Sequence, residues 1–348
     1  VTYARARLWL GISGVGTWVL IAAAGIWWQW TPPVHSGYLA VDLLALAALY
    51  VLIQAPFDWF GGFYLPRRFG RVPTRPGAWL KGVLFQVLCW LAGSMALMAA
   101  GAAFGLPGAL AAMAALMLLL VLFQEWIARA TGTLRVAAQE GDTALVAAAD
   151  PGFTGGWVGL GPTRRLLMPS AWREEWRRVQ RARRAGVAAR GARAAGVLVA
   201  LLFNLTGLAV SYSFTPSAGF STLSGYLQLV FGFTLWSFAG LLTLPSVSRP
   251  GVFLADRFAA EQGLDWRPTA QALDRLQDDE PARSPWVERI FHPIPSLQSR
   301  FRAPRVNWGA WQAARLALYL SWTVPGLLAR SVHCNVGRPD LWVLYPAD

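Results

Sequence analysis

Residues 194–248 form a run of 55 positions without one charged side chain. A helix needs about 20 apolar residues to cross the hydrocarbon core of a bilayer, so this run is long enough to cross twice. Its middle, SYSFTPSAGFSTLS, is rich in Ser, Thr, Gly and Pro, which places a turn there and makes the run a membrane hairpin with spans over 194–212 and 223–244. Uncharged runs at 8–30, 83–104 and 109–123 add three more candidates, and 37–59 is a fourth despite Asp42 and Asp58. The composition agrees: 55% of residues are hydrophobic, only 14% are charged, and the mean hydropathy is +0.40. These features predict a mainly α, polytopic helical membrane protein of about six spans. The first run is too long for a secretory h-region and no small-residue cleavage site follows it, so it is expected to be a retained helix.

The net charge of +13 is almost all arginine, with Lys81 the only lysine. In a soluble chain this excess would point to nucleic acid; here its placement accounts for it. Arg5 and Arg7 precede the first span, Arg67, Arg68, Arg71 and Arg75 separate the second from the third, and Arg129 follows the fourth. The alternate loops, 31–36, 105–108 and 213–222, carry no Lys or Arg. This is the positive-inside pattern, which puts the N-terminus and both polar segments in the cytoplasm; the expected location is the bacterial cytoplasmic membrane. Asp42, Asp58, Lys81 and Glu125 lie in or near the spans, where charge is expensive. They are read as interface anchors, held by snorkelling or mutual pairing. Trp27, Trp28 and Trp30 close the first span and Trp59 the second, as suits the interfacial preference of indole. Cys89 and Cys334 make no disulfide framework.

Between 131 and 172 the runs LRVAA, ALVAA, GWVGL and RRLLM are separated by turn residues, which predicts a small sheet. An arginine-loaded helix follows over 173–193, with eight arginines and two glutamates. Glu174 is placed to pair with Arg178 at i,i+4, and most of the positive charge has no partner within the helix. One reading lays Arg177, Arg178, Arg181 and Arg184 on the anionic inner leaflet, at about 1 kcal/mol each. A second makes them a docking face for an acidic partner, and a third simply anchors the next span. Asn204 and Gln228 are expected to hydrogen-bond across the hairpin. Beyond the hairpin, helices are expected over 269–277 and from a Ser284-Pro285 start to Phe291. The apolar run 316–329, about fourteen residues with Pro325, is short for a span; it is expected to lie in the interface or on the cytoplasmic domain.

The order of these parts resembles the catalytic core of the integral-membrane zinc proteases that include the CAAX prenyl protease and the bacterial heat-shock membrane protease. The segments carrying it are DPGFTGGWVGLGPTRRLLMPSAW (150–172), SRPGVFLADRFAAEQG (248–263) and FHPIPSLQSRF (291–301). The resemblance implies an edge strand starting over Phe153–Gly156, with Phe153 and Gly155 as retained family positions and 165–168 as its neighbour. It implies an HExxH helix next, an apolar hairpin, and a second helix with a glutamate ligand four residues before an aspartate. It assigns Arg183-Arg184-Ala185-Gly186-Val187 to the HExxH positions and Val252 to the third ligand. Asp256, His292, Pro293 and Arg300 fall on retained family positions.

Zinc needs two neutral imidazoles one helical turn apart, with a carboxylate to activate water. Arginine does not give up its proton and valine has no lone pair. The three histidines, His35, His292 and His333, include no pair at i,i+4. The expectation is therefore a catalytically inactive member, with no metal or cofactor, acting as a scaffold or binding subunit. Its expected partners are anionic lipids and other membrane subunits, not nucleic acid. The edge strand remains able to pair with an extended peptide. The expected organisation is a four-span region (1–130), a protease-like α+β core (131–263) and a cytoplasmic helical region (264–348). Two alternatives stand beside it. One is an active membrane metalloendopeptidase with ligands drawn from His292, His333, Cys334 or Asp256. The other is a small-solute transporter using Asp42, against which stands the lack of a repeated half with paired broken helices.

Overall fold

The computed structural model describes residues 1–32, 36–130, 134–148, 153–215, 219–277, 280, 282–302, 305–321 and 325–338. His35 and the opening Asp150 of the core stretch lie outside them. Helix α1 (Tyr3–Trp27) starts on Thr2, whose Oγ1 accepts from the Arg5 amide. Next come α2 (Leu39–Trp59), a π-helical turn, α3 (Leu65–Arg68) and α4 (Pro76–Ala130). Beyond a four-stranded sheet follow α5 (Glu174–Ala189), α6 (Ala192–Ser213), α7 (Leu223–Glu261), α8 (Arg267–Gln277), α9 (Pro285–Phe291), α10 (Leu297–Phe301) and α11 (Ala313–Ser321).

Five of the described helices are long and apolar enough to cross a membrane. Helix α4 has 55 residues, about 80 Å at 1.5 Å per residue, more than twice a bilayer core. It is broken at Gly105 (φ 65, ψ −154), a backbone conformation that a side chain would obstruct. Its two halves correspond to the runs expected at 83–104 and 109–123, so five helices contain the six expected segments.

All four predicted apolar runs become strands: β1 (Leu134–Glu140), β2 (Thr143–Ala148), β3 (Gly156–Val158) and β4 (Arg165–Pro169), in the spatial order β1-β2-β4-β3. The β1–β2 and β3–β4 pairs are antiparallel and β2–β4 is parallel. Alternation along β4 divides the sheet's contacts. Leu166 and Met168 pack with Val187, Leu254 and Ala255 of α5 and α7, while Leu167 joins Ile127 and Ala128 of α4. The sheet is thereby wedged between the membrane bundle and the α5–α7 pair, with β3 at one edge.

Several expectations change on folding. Helix α11 lies neither in the interface nor on the polar domain. It is buried against α4, α6 and α7, as a helix apolar on nearly every face must be. Tyr319 Oη donates to the Leu120 carbonyl (2.9 Å), and Asn204 Nδ2 donates to that of Ala317 (3.1 Å). Asn204 and Gln228 do not bridge the hairpin; Gln228 instead donates to the carbonyls of Gly25 and Trp30 at the end of α1. The described residues beyond 263 are split: α8 and α10 pack through Trp266, Ala270 and Leu297 onto Val179 and Ala259, whereas α11 and residues 325–338 enter the bundle of spans.

Asp58, read as an interface anchor, is 1% exposed and ion-paired to Arg330, itself 2% exposed. Its carboxylate also accepts from Trp79 Nε1 (3.1 Å), the Gly337 amide (3.2 Å) and Gln54 Nε2 (3.3 Å). Trp18 and Ser331 donate to the same Gln54. This network fastens the C-terminal segment between α1 and α2. The other three charges have simpler settings: Asp42 accepts from the Ser36 amide, Glu125 pairs with Arg129 and Arg165, and Lys81 is exposed.

Breaking a buried pair strands the remaining charge at about 3–5 kcal/mol. Asp58→Asn is therefore expected to lower the thermal unfolding temperature in detergent markedly. The double variant Asp58→Leu with Arg330→Met is expected to recover most of that loss, which thermal scans of the three proteins will show.

Candidate functional site

Helix α5 begins after Arg173, with Glu174 and Glu175 in its first turn, where negative charge suits the helix dipole. It ends before Gly191 (φ 68), which turns the chain into α6. It lies close along α7: a Cβ on Gly186 would come within 2.3 Å of the Phe258 ring. At this contact Arg183 and Arg184 are buried, 2% and 1% exposed. Arg183 Nε donates to Asp256 Oδ1 (2.8 Å), and its Nη1 donates to Gln180 (2.8 Å). Arg300 on α10 donates twice to the same carboxylate, Nε to Oδ2 (2.8 Å) and Nη2 to Oδ1 (2.7 Å). One carboxylate thus gathers two guanidiniums from two helices, in short charge-assisted bonds. The Trp266 ring lies 5.0 Å from the Arg300 guanidinium and completes the pocket.

Arg184 serves a different element. Its guanidinium donates to the carbonyls of Thr154 and Leu167, beside the Trp172 ring. Its own carbonyl accepts from Trp157 Nε1 (3.2 Å). Gly155 between them has φ +72, and a Cβ there would lie 2.0 Å from the Leu167 carbonyl oxygen, so the chain entering β3 passes β4 only as glycine. Phe153 is buried in the main core and Pro293 follows the α9 cap at His292. Val187 is buried against Leu254 and Ala255 of α7, and Val252 is buried one helical turn before Asp256.

The expected lipid- or partner-facing group is therefore revised. Arg184 is interior and unable to meet a membrane surface. Arg177 and Arg181 pair with Glu174 and with Glu140 of β1, so Glu174 uses i+3 and i+7 rather than Arg178; Arg178 is exposed. Partners across the sheet took up charge that the helix sequence left unmatched.

The histidines change most. Read from the chain as isolated, His292 and His333 stand with ring centroids 5.1 Å apart, and half-buried Cys334 follows His333. His292 is buried and its Nε2 has no hydrogen-bond partner among the described residues. Burial above all, then the fields of His333, Arg283 and Arg315, push its pKa well below the usual imidazole value and keep it neutral. Among the described residues no group of three or more His, Cys, Asp or Glu is placed to hold a metal ion. Asp256, one of the alternative ligands, is engaged by Arg183 and Arg300. His292 and Arg300 both line a cavity of about 540 Å³ that runs from the Asp256 cluster to the N-terminal half of α1. Sequence reasoning had no place for Gln180, Thr154, Arg283 or Arg315. Only Gln180 offered a signal, as the lone amide on a helix otherwise of Arg, Glu and apolar residues.

A bundle of long apolar helices with a small mixed sheet seated on two of them defines an integral-membrane protein. Among solved structures, the chain is similar to the crystal structure of S. mikatae Ste24p, with a TM-score of 0.63 over 83% of this chain and 80% of that one, at 12% sequence identity. No family model and no curated protein matches. The likeness is one of fold.

Two outcomes follow from the site. Asp256→Asn leaves two buried guanidiniums without their counter-charge and is expected to cost about 3–5 kcal/mol, against about 1 kcal/mol or less for the surface change Glu140→Gln; thermal unfolding of both variants measures the contrast. The second concerns pH. The unfolded chain takes up a proton on His292 near pH 6.5, at the usual imidazole value, and the folded chain does not. Stability from this group is thus complete above about pH 7 and falls as the pH drops through about 6.5. His292→Gln is expected to flatten that slope between about pH 7 and 5 in unfolding scans.

Proposed function

We propose that this protein is a catalytically inactive homologue of membrane metalloproteases, acting as a scaffold or binding subunit in a membrane protein complex. The observation that carries this reading is the cluster of Arg183, Asp256 and Arg300. It stands at the contact between α5 and α7, and the resemblance assigns zinc ligands to Arg183, Val187 and Val252 on those same helices, with Arg184 in place of the catalytic glutamate. A divalent cation there would meet two guanidiniums and one already saturated carboxylate, with aliphatic groups in place of imidazole and the ligand glutamate. The likeness to Ste24p, a membrane zinc metalloprotease of the CAAX type, supports the fold half of the proposal. Positive-inside charge supports a polar domain on the cytoplasmic side of the membrane. β3, pinned by Arg184 at the sheet edge, stands where the resemblance puts the strand that takes an extended peptide.

A second reading, an active metalloendopeptidase with unconventional ligands, draws on the His292–His333 pair beside Cys334. One experiment separates the two. Metal content and peptidase activity are measured on protein purified without chelator. The inactive reading expects well under about one zinc per chain and no chelator-sensitive cleavage, together with a membrane protein held stoichiometrically in crosslinked native membranes. About one zinc per chain, lost in His292→Ala, would establish the second reading instead.

A further inference from the structure

A second cavity, of about 360 Å³, lies among the long apolar helices α1, α2, α4 and α7. Its walls are apolar, with Ile21 of α1, Leu46 and Ile53 of α2, Val87 of α4, and Val230 and Phe231 of α7. No acidic or basic side chain stands among its described lining residues. Three polar side chains on the wall are already engaged within the protein. Trp18 Nε1 donates to Gln54 (2.9 Å), Tyr50 Oη to the Leu327 carbonyl (3.0 Å) and Tyr226 Oη to Ser94 (2.8 Å).

Gln86 and Trp90 on the same wall are not. Gln86 is 7% exposed, and its Oε1 is buried with no hydrogen-bond partner among the described residues. Trp90 Nε1 is buried in the same condition. The two stand at i and i+4 on α4, so their side chains are neighbours on one face of the helix. Both belong to the uncharged run 83–104, where bulk water is not at hand and an unmet polar group is costly. One orphan atom is an acceptor and the other a donor, which restricts what can fill the space between the helices. A bilayer acyl chain fills the apolar volume and leaves both atoms unmet. An ether oxygen only accepts, so it meets Trp90 and leaves Gln86 Oε1. A hydroxyl donates and accepts, and meets both.

We propose that this cavity binds an uncharged, mostly apolar alcohol, whose hydroxyl donates to Gln86 Oε1 and accepts from Trp90 Nε1. The volume falls in the range of small-molecule sites. A charged head would be desolvated against walls that offer it no counter-charge. None of Arg183, Asp256 or Arg300 lines this cavity, so binding stands whether or not the chain cleaves peptides.

Gln86 supplies the test, because it has no partner to lose. The full chain in phosphatidylcholine nanodiscs is loaded with dodecan-1-ol, 1-methoxydodecane, dodecane or dodecanoate at equal mole fraction. The readouts are ligand retained per chain, counted by mass spectrometry against empty nanodiscs, and thermal unfolding. Dodecan-1-ol is expected to raise the unfolding temperature and to bind about tenfold more tightly than the ether or the alkane. Dodecanoate is expected to show no retention above empty nanodiscs. Gln86→Leu puts an apolar group of similar size in place of the amide, so the ligand-free variant is expected to match or exceed the unfolding temperature of the parent. Its preference for alcohol over alkane is expected to fall to about twofold or less, and Trp90→Phe is expected to narrow the same preference. Equal binding of dodecane and dodecan-1-ol, the mark of a groove for bilayer chains only, overturns the proposal. So does an unchanged preference in Gln86→Leu, or a lower unfolding temperature of that variant without ligand, which would show Gln86 serving the fold instead.

Discussion

The Asp256 carboxylate holds together parts of the chain that share no local signal. It accepts from Arg183 on α5 and twice from Arg300 on α10, while sitting on α7 itself. Three polar partners buried at one point must be fully satisfied, since a stranded charge there would outweigh most of what the surrounding packing contributes. Once they are satisfied, the α5–α7 contact has a fixed register. Gly186 meets Phe258, Val187 lies against the α7 face carrying Leu254 and Ala255, and the sheet rests on the same surface through Leu166 and Met168. The edge strand's position follows, because Arg184, the next residue along α5, bonds the carbonyls that flank it.

The membrane half is organised by the same rule in a drier setting. Asp58 and Arg330 neutralise one another, Gln54 and Trp79 donate to the carboxylate, and Trp18 and Ser331 donate in turn to Gln54. Arg7 binds three backbone carbonyls that no helix ladder satisfies, two of them from the C-terminal segment. The segment can lie at that depth as irregular backbone because protein, not lipid, surrounds it. A cavity of about 540 Å³ is lined by both regions, through Arg300 from one and Arg7 from the other.

The proposed loss of chemistry and the stability of the site have one cause. Guanidiniums donate, so they satisfy a buried carboxylate and cannot bind a cation; imidazoles beside a metal do the reverse. Replacing one arrangement with the other preserves the helix contact while changing what the contact can do. The fold shared with Ste24p at 12% identity fits that separation of scaffold from site.

The amino-acid sequence alone determined the long apolar helices and the four strands, because each depends on patterns within some twenty consecutive residues. That Asp256 and Arg300 bond each other was not legible in the sequence. Tertiary structure decided which arginines are interior: Arg183 finds Asp256 across 73 residues and Asp58 finds Arg330 across 272. It also decided that α11 is core and that His292 faces His333. Burial and pairing are properties of what surrounds a group in space. Nothing in the residues beside Arg184 distinguishes it from exposed Arg178, and only packing against Trp172 and the carbonyls of Thr154 and Leu167 made one a clamp and left the other in water.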